Sequence, residues 1–458
     1  RMTVKDGLIM LPDGMNYRVL ALPDREAISL AVLKQIEKLI KEGATVVGRK
    51  PLRSVSMENY PECDYQVKKL ADKIWGDCNG ETIKEHKYGK GRVIWNIPLR
   101  EVLTEMQVLP DFTAENINNS DQHIDFIHRR TDREEIYFVS NSSMSREEVV
   151  CKFRVDKSKT PFFWNAGDGT IEQCRIFETG DGFIKISLKM PPVGSVFVVF
   201  KEVGPSESIT SIDMESAGKP EGKALSSGWN NIEILANDEK GYSALIWTPG
   251  SYTLKSSGGK TTKIQVDSLP GKILIDSPWV VRFPEGWGAP PQITMKTLTD
   301  WTESKETGVK YFSGTANYSN EFTIPEYLLN GNYSLSIDLG DLKEVADLKV
   351  NDKPAEILWK KPFRTEITSF LSPGKNTISL AVVNLWNNRI VGDFAMNLDP
   401  GFTRTNVKRR FNAKSPLLSS GLLGPVIIYP ALKVHSSQPI AQSYECNPIN
   451  KRFVHLPV

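Results

Sequence analysis

From residue 17 to about residue 110 the apolar positions change period as the chain advances. The run Tyr17-Arg-Val-Leu-Ala-Leu22 predicts a short strand, and Pro23-Asp24 predicts a turn and helix cap after it. Ile28, Leu30, Ala31, Leu33, Ile36, Leu39 and Ile40 then recur at nearly helical spacing until Gly43 stops the pattern. Thr45-Val-Val predicts a second strand, and Val67, Leu70, Ala71 and Ile74 predict a second helix. Gly91-Arg-Val-Ile-Trp predicts a third strand, entered through the turn Gly89-Lys-Gly91. Strand, helix, strand in this order implies parallel pairing with right-handed crossovers. Residues 1–112 are therefore expected to form a doubly wound α/β domain that lacks its first strands.

After Pro110 alternation replaces the helical period. His123-Ile-Asp-Phe-Ile-His128, Glu135-Ile-Tyr-Phe-Val, Val149-Val-Cys-Lys-Phe-Arg-Val, Phe183-Ile-Lys-Ile-Ser-Leu and Ser195-Val-Phe-Val-Val-Phe200 are short apolar–polar runs divided by turn residues. Such spacing, about ten residues from turn to turn, predicts an antiparallel β-sandwich over 113–205. Residues 206–278 are expected to be a linker and β-rich segment, with solvated stretches such as Ala217-Gly-Lys-Pro-Glu-Gly-Lys. A second β region follows over 279–435, with strands such as Tyr333-Ser-Leu-Ser-Ile-Asp-Leu and Asn376-Thr-Ile-Ser-Leu-Ala-Val-Val, and 436–458 reads as an irregular tail. The fold class expected is multidomain and mainly β, with one partial α/β domain at the front.

Composition narrows the function classes. A chain of 458 residues with 40% hydrophobic and 24% charged residues is globular and not disordered. Its 57 basic residues nearly balance 55 acidic ones, which argues against a nucleic-acid partner or a polybasic membrane surface. No apolar run approaches the roughly 18 residues that a membrane span needs. The opening Arg1-Met2-Thr3 has no signal-peptide pattern and leads us to expect a piece of something larger. Five cysteines (Cys63, Cys78, Cys151, Cys174, Cys446) show no zinc spacing; Cys151 and Cys174 are either buried free thiols or a pair across a sheet. Sequons at Asn118, Asn141, Asn317 and Asn332 matter only in a eukaryotic secretory pathway.

The chemistry-bearing patterns are few. Gly89-Lys-Gly91 precedes a strand and opens no helix, so it is no dinucleotide cradle. The turn Gly48-Arg-Lys-Pro after Val47 carries no Cys or Ser nucleophile. Glu101 and Glu105 stand one helical turn apart on a solvated face, and Asp300 with Glu303 falls in a polar loop, so neither carboxylate pair is taken as catalytic. Tryptophan is the informative excess: ten in the chain, most from Trp229 onward. Flat aromatic faces stack on sugar rings, whereas most tryptophans serve packing. The densest cluster is Asn384-Leu-Trp386-Asn-Asn388-Arg389-Ile-Val-Gly-Asp393. Trp386, Asn388, Arg389 and Asp393 are its candidates for carbohydrate binding or a domain interface. The apolar pair Ile390-Val391 before Gly392-Asp393 predicts the end of a strand, with Arg389 free to pair Asp393. The segment is either a ligand contact or a satisfied network that ties a loop down.

At this segment the sequence resembles glycoside hydrolase family 106, the large bacterial α-L-rhamnosidases. The matching stretches are LPDGMNYRVLALP (11–23), HIDFIHRRTDREEIYFVSN (123–141), GSVFVVF (194–200), DSPWVVRFPEGWGAP (276–290), WTESKETGVKYFSGTANY (301–318) and NLWNNRIVGD (384–393). YFSGTANY with KVNDKPAEILWKKPF (349–363) also resembles the sugar-binding jelly roll of family 2 glycosidases, a galactose-binding-like fold. The resemblance implies that residues 1–112 are amidotransferase-like or flavodoxin-like, as in some β-galactosidases, and that 279–435 is that jelly roll. In the family an N-terminal barrel carries the catalytic carboxylates and a calcium site, and no position here matches a catalytic glutamate. It therefore implies no catalytic residue in this chain, leaves calcium open, and makes the partners a rhamnose-containing glycan and a catalytic domain. It also implies a bacterial periplasmic or extracellular setting. Three readings compete: an accessory region of an α-L-rhamnosidase, a stand-alone carbohydrate-binding protein, and a self-contained hydrolase.

Overall fold

A computed structural model describes residues 2–116, 123–203, 207–216, 231–238, 241–276, 278–398, 401–406, 410–436 and 442–444. Asn118, Trp229 and Cys446 lie outside the described residues. The chain divides into two compact units, 1–111 and 112–458.

In the first unit the strands Val19–Ala21, Thr45–Val47 and Gly91–Ile94 pair in parallel, and Glu85–Tyr88 runs antiparallel at the edge. Helix α1 (Leu30–Glu42) buries Leu33, Ile36, Leu39 and Ile40, and α2 (Glu62–Trp75) buries Val67, Ala71, Ile74 and Trp75. Leu33, Ile36 and Ile40 share one core with the α2 residues and with Val46 and Val93 of the sheet. The cap of α1 is Ser29, whose side chain accepts from the Val32 N–H, and not the expected Asp24. Residues 26–28 are held extended against 52–53, where Leu52 N donates to Glu26 O and Ile28 N to Arg53 O, so the helix cannot begin earlier. Three short antiparallel strands, Thr3–Lys5, Leu8–Met10 and Asn16–Tyr17, were not expected. Tyr17 belongs to them, and Ile9 packs on the Leu39 side of α1. The expected carboxylate pair lies on α3 (Leu99–Glu105), where Glu105 meets Arg92 at 2.9 Å.

The second unit is almost wholly β. Residues 112–201 form two antiparallel sheets. One runs Ile171–Gln173, Thr160–Trp164, Ser195–Lys201, Glu135–Asn141, Ile124–Arg130; the other runs Glu178–Gly180, Phe183–Met190, Glu147–Phe153, Phe112–Asn116. Alternate residues point inward, so Tyr137, Val139, Val149, Cys151, Phe153, Ile184, Ile186, Val198 and Phe200 make the core between them. Cys151 and Cys174 are both buried and free, which settles their reading as thiols. Asn141 is also buried, its amide donating to Ser145 O and Pro191 O, so its sequon offers no glycan acceptor.

Beyond residue 207 two six-stranded sheets share one core. The first runs Ile232–Asp238, Gly241–Ile246, Ile427–Ser436, Tyr333–Asp338, Arg364–Glu366, and Ile273–Leu274 pairs with its long strand. The second runs Gln292–Met295, Trp279–Arg282, Thr315–Ile324, Gly374–Val383, Val345–Val350, Lys353–Leu358. Residues 241–246 thus enter the sheet of 427–436 directly, and one apolar cluster extends from Ile209 to Val434. Within the tail, Gln442–Tyr444 adds a parallel strand to Thr261–Val266, where no regular element was expected. Helices in this unit are short: α4 (Thr307–Lys310) and α5 (Asn387–Ala395).

Two consequences are measurable. Trp301 Nε1 donates to Tyr318 Oη at 2.6 Å, and Leu422 N donates to the same oxygen at 3.3 Å, all within the core. Tyr318→Phe strands both donors, so urea unfolding of the whole chain should show a loss of about 1–3 kcal/mol. On α1, burial alone would raise the Glu37 carboxyl, but bonds from Lys41, Tyr88 and Lys73 outweigh it and hold it at about 2. An acid with a depressed folded pKa stabilises fully above its ordinary value and loses that contribution as pH falls toward the folded one. The unfolding midpoint should therefore drop between about pH 4.5 and about pH 2 more steeply in the natural chain than in Glu37→Gln.

Candidate functional site

The strand Gly374–Val383 pairs with Thr315–Ile324 up to the couple Val383 and Thr315. The next donor, Gly314 N, goes to the Asn384 side chain at 3.0 Å instead of to a backbone carbonyl. Asn384 also donates to Phe312 O at 2.9 Å and Ser420 Oγ at 3.0 Å, so its amide is bonded at both ends, and the ladder finishes on a long bond from Asn384 N to Gly314 O at 3.4 Å. The chain then turns through Trp386 into α5. This corrects the expected strand end at Ile390-Val391: both residues sit inside the helix, buried, and Gly392-Asp393 is helical rather than a turn. The period of the buried residues was read as a strand because the helix is only nine residues long.

α5 is fastened by polar bonds. Asn388, 1% exposed, donates to Leu418 O (2.6 Å) and Ser420 Oγ (3.0 Å) and accepts from Leu418 N (2.8 Å). Ser420 N donates to Asp300 Oδ1 at 3.0 Å, which also accepts from Thr302 N and Thr302 Oγ1. Burial alone would raise the Asp300 carboxyl, but bonds from Ser419, Thr302 and Ser420 hold it below the ordinary value. Asp300 therefore caps the 3-10 turn Trp301–Glu303. That turn replaces the expected polar loop, because Trp301 is buried and draws the segment onto the core.

Arg389 and Asp393 are one helical turn apart on α5, yet they make no direct pair. Arg389, also 1% exposed, uses Nη2 to donate to Trp287 O (2.7 Å) and Gly308 O (3.5 Å). Its backbone N–H donates to Ser313 Oγ, and the Phe402 ring covers its guanidinium at 4.8 Å. Asp393 Oδ2 accepts from Thr403 N (2.8 Å) and Thr403 Oγ1 (2.6 Å). Burial lowers the Arg389 pKa, opposed by the charge of Asp393.

The described tryptophans range from buried to exposed, with Trp359, in a separate stretch of chain, 54% exposed. Trp279 and Trp301 are core, whereas Trp386 is 55% exposed and Trp287 39% exposed, their ring centroids 6.1 Å apart at 43°. Together they form an aromatic shelf beside the α5 clamp. Trp287 was missed in the sequence. Its flanks Gly286 and Gly288, at φ 77° and 86°, mark a loop tryptophan outside any alternating pattern, and that signal was available. Among the described residues no group of three or more His, Cys, Asp or Glu side chains is placed to hold a metal ion. No helix among them is long and apolar enough to cross a membrane.

Comparison with known proteins finds similarity to glycoside hydrolases. Residues 1–178 match the family model of glycoside hydrolase family 106, alpha-L-rhamnosidase. The solved rhamnosidase from Novosphingobium sp. PP1Y is similar over 94% of this chain and 35% of its own, with TM-score 0.68 and 26% identity. A Formosa agariphila protein named "Putative beta-glucuronidase" is 26% identical over 615 residues, 93% of this chain and 51% of that protein. The chain thus spans about half the length of that curated relative and about a third of the rhamnosidase. It is a glycoside hydrolase-related protein, and the resemblance to family 106 is supported by both its sequence and its fold.

The clamp carries a direct test. Asn388→Ala removes three bonds and leaves Leu418 N–H without its acceptor, so unfolding free energy should fall by about 1–3 kcal/mol. The neighbouring Asn387→Ala, which makes none of them, should change stability by no more than about 0.5 kcal/mol in the same urea titration.

Proposed function

We propose that this chain is an accessory region of a glycoside hydrolase acting on α-L-rhamnosides in plant or bacterial polysaccharides. It supports a catalytic barrel and contacts glycan through the shelf of Trp287 and Trp386. The setting that goes with this function is the bacterial periplasm or exterior. The observation that carries the reading is two adjacent half-exposed tryptophans, Trp386 at the start of α5 and Trp287 in a loop beside it, next to buried amides already spent on backbone and on Ser420. Asn388, buried and fully bonded, acts here as a positioning residue, and Trp386 as the contact. The similarity to a rhamnosidase of Novosphingobium supports the substrate class.

Retaining and inverting glycosidases need two carboxylates flanking the scissile bond, about 5–9.5 Å apart. Asp300 is spent as a cap and Glu105 on Arg92, so neither is offered as acid or base. The pure 458-residue chain should therefore leave aryl α-L-rhamnosides unhydrolysed; turnover abolished by one internal Asp or Glu substitution would overturn the accessory role. In calorimetric titration with a rhamno-oligosaccharide, Trp386→Ala should weaken binding by about fivefold to tenfold, the scale of one aromatic contact. A second reading is favoured by the exposed apolar side chains Leu385, Phe394 and Leu398, which flank or belong to α5. It makes this face a docking surface for a catalytic domain, and it predicts no response of the chain to rhamno-oligosaccharides.

A further inference from the structure

The clamp leaves one conspicuous group incompletely bonded. Asn384 and Asn388 make all the bonds their amides need, but Arg389 Nε and Nη1 and Asp393 Oδ1 are buried with no partner. A guanidinium stays charged at any physiological pH, so burying it with unmade bonds costs more than an apolar residue of the same size would. Its Nη2 is fixed to the Trp287 carbonyl, which ties the guanidinium to the backbone of the aromatic shelf. Nη1 faces Gly288: a Cβ built there would come 3.1 Å from Nη1 and 3.1 Å from the Phe402 ring. This charged donor thus lies against Gly288, the residue after Trp287, and under the half-exposed Phe402 ring. The following residue, Thr403, holds Asp393, so both unbonded groups lie under the same short segment.

Resting on the glycan-contact reading above, we infer that the shelf takes a uronic-acid residue, its ring on Trp386 and Trp287 and its carboxylate accepting from Arg389 Nη1. Phe402 is the cover: a rotation of its side chain opens the guanidinium without moving the helix. A carboxylate is the ligand group because it satisfies the donor and neutralises the charge at once. A neutral hexose hydroxyl accepts the bond but leaves the charge uncompensated.

The test is calorimetric titration of the full chain with tetragalacturonate and with its carboxyl-reduced, neutral counterpart. The acid is expected to bind at least about tenfold more tightly, a difference of 1.4 kcal/mol. Arg389→Met, which removes both the donor and the charge, should abolish that preference. If this variant does not fold, Phe402→Trp provides the second arm, since a larger cover should weaken the acid and leave the neutral sugar unchanged. Equal affinity for the two sugars overturns the inference, as does a preference that survives in both variants. If rhamno-oligosaccharide binds and tetragalacturonate does not, the uronate assignment fails and the shelf remains. If neither binds, the shelf itself is lost.

Discussion

A buried amide or guanidinium must find hydrogen-bond partners, and in the second unit this requirement decides where the sheet ends and the helix begins. Asn384 takes the Gly314 N–H that would have extended the ladder, and Asn388 takes both backbone groups of Leu418. Ser420 Oγ receives both asparagines, and its N–H returns to Asp300. Four polar side chains, distant in sequence, thereby hold α5 against the core. Unmaking any one leaves a desolvated donor or acceptor, which costs more than the bond itself contributes in an exposed setting.

Much of the chain's architecture was legible in the sequence because periodicity reports burial. The inward residues of Glu135–Asn141 and Glu147–Phe153 alternate strictly, and α1 repeats its apolar residues at helical spacing. The mainly β, multidomain class followed from that change of period. What escaped were elements too short to show a period, such as Thr3–Lys5 and Glu85–Tyr88. The start of α1 escaped because it is fixed by long-range bonds of residues 26–28 to 52–53, which no local pattern encodes.

At the candidate site the sequence located the segment but not its geometry. Trp386, Asn388, Arg389 and Asp393 sit on or at the start of one short helix, yet Asn388 and Arg389 are buried, Asp393 is half-buried and only Trp386 is exposed. The expected Arg389–Asp393 pair is absent because Trp287 O and Thr403 compete for its two halves, and those partners lie 102 and 10 residues away. Trp287, the other half of the shelf, reaches Trp386 from a glycine-flanked loop nearly a hundred positions earlier, a proximity that only the folded chain produces.

A buried polar clamp thus adjoins an exposed aromatic shelf, and we propose that the clamp presents that shelf to glycan. Hydrogen–deuterium exchange of the intact chain, with and without saturating rhamno-oligosaccharide, tests this most directly. Added protection confined to peptides covering 284–290 and 384–392 is the result predicted. Protection elsewhere with those two segments unchanged would contradict it.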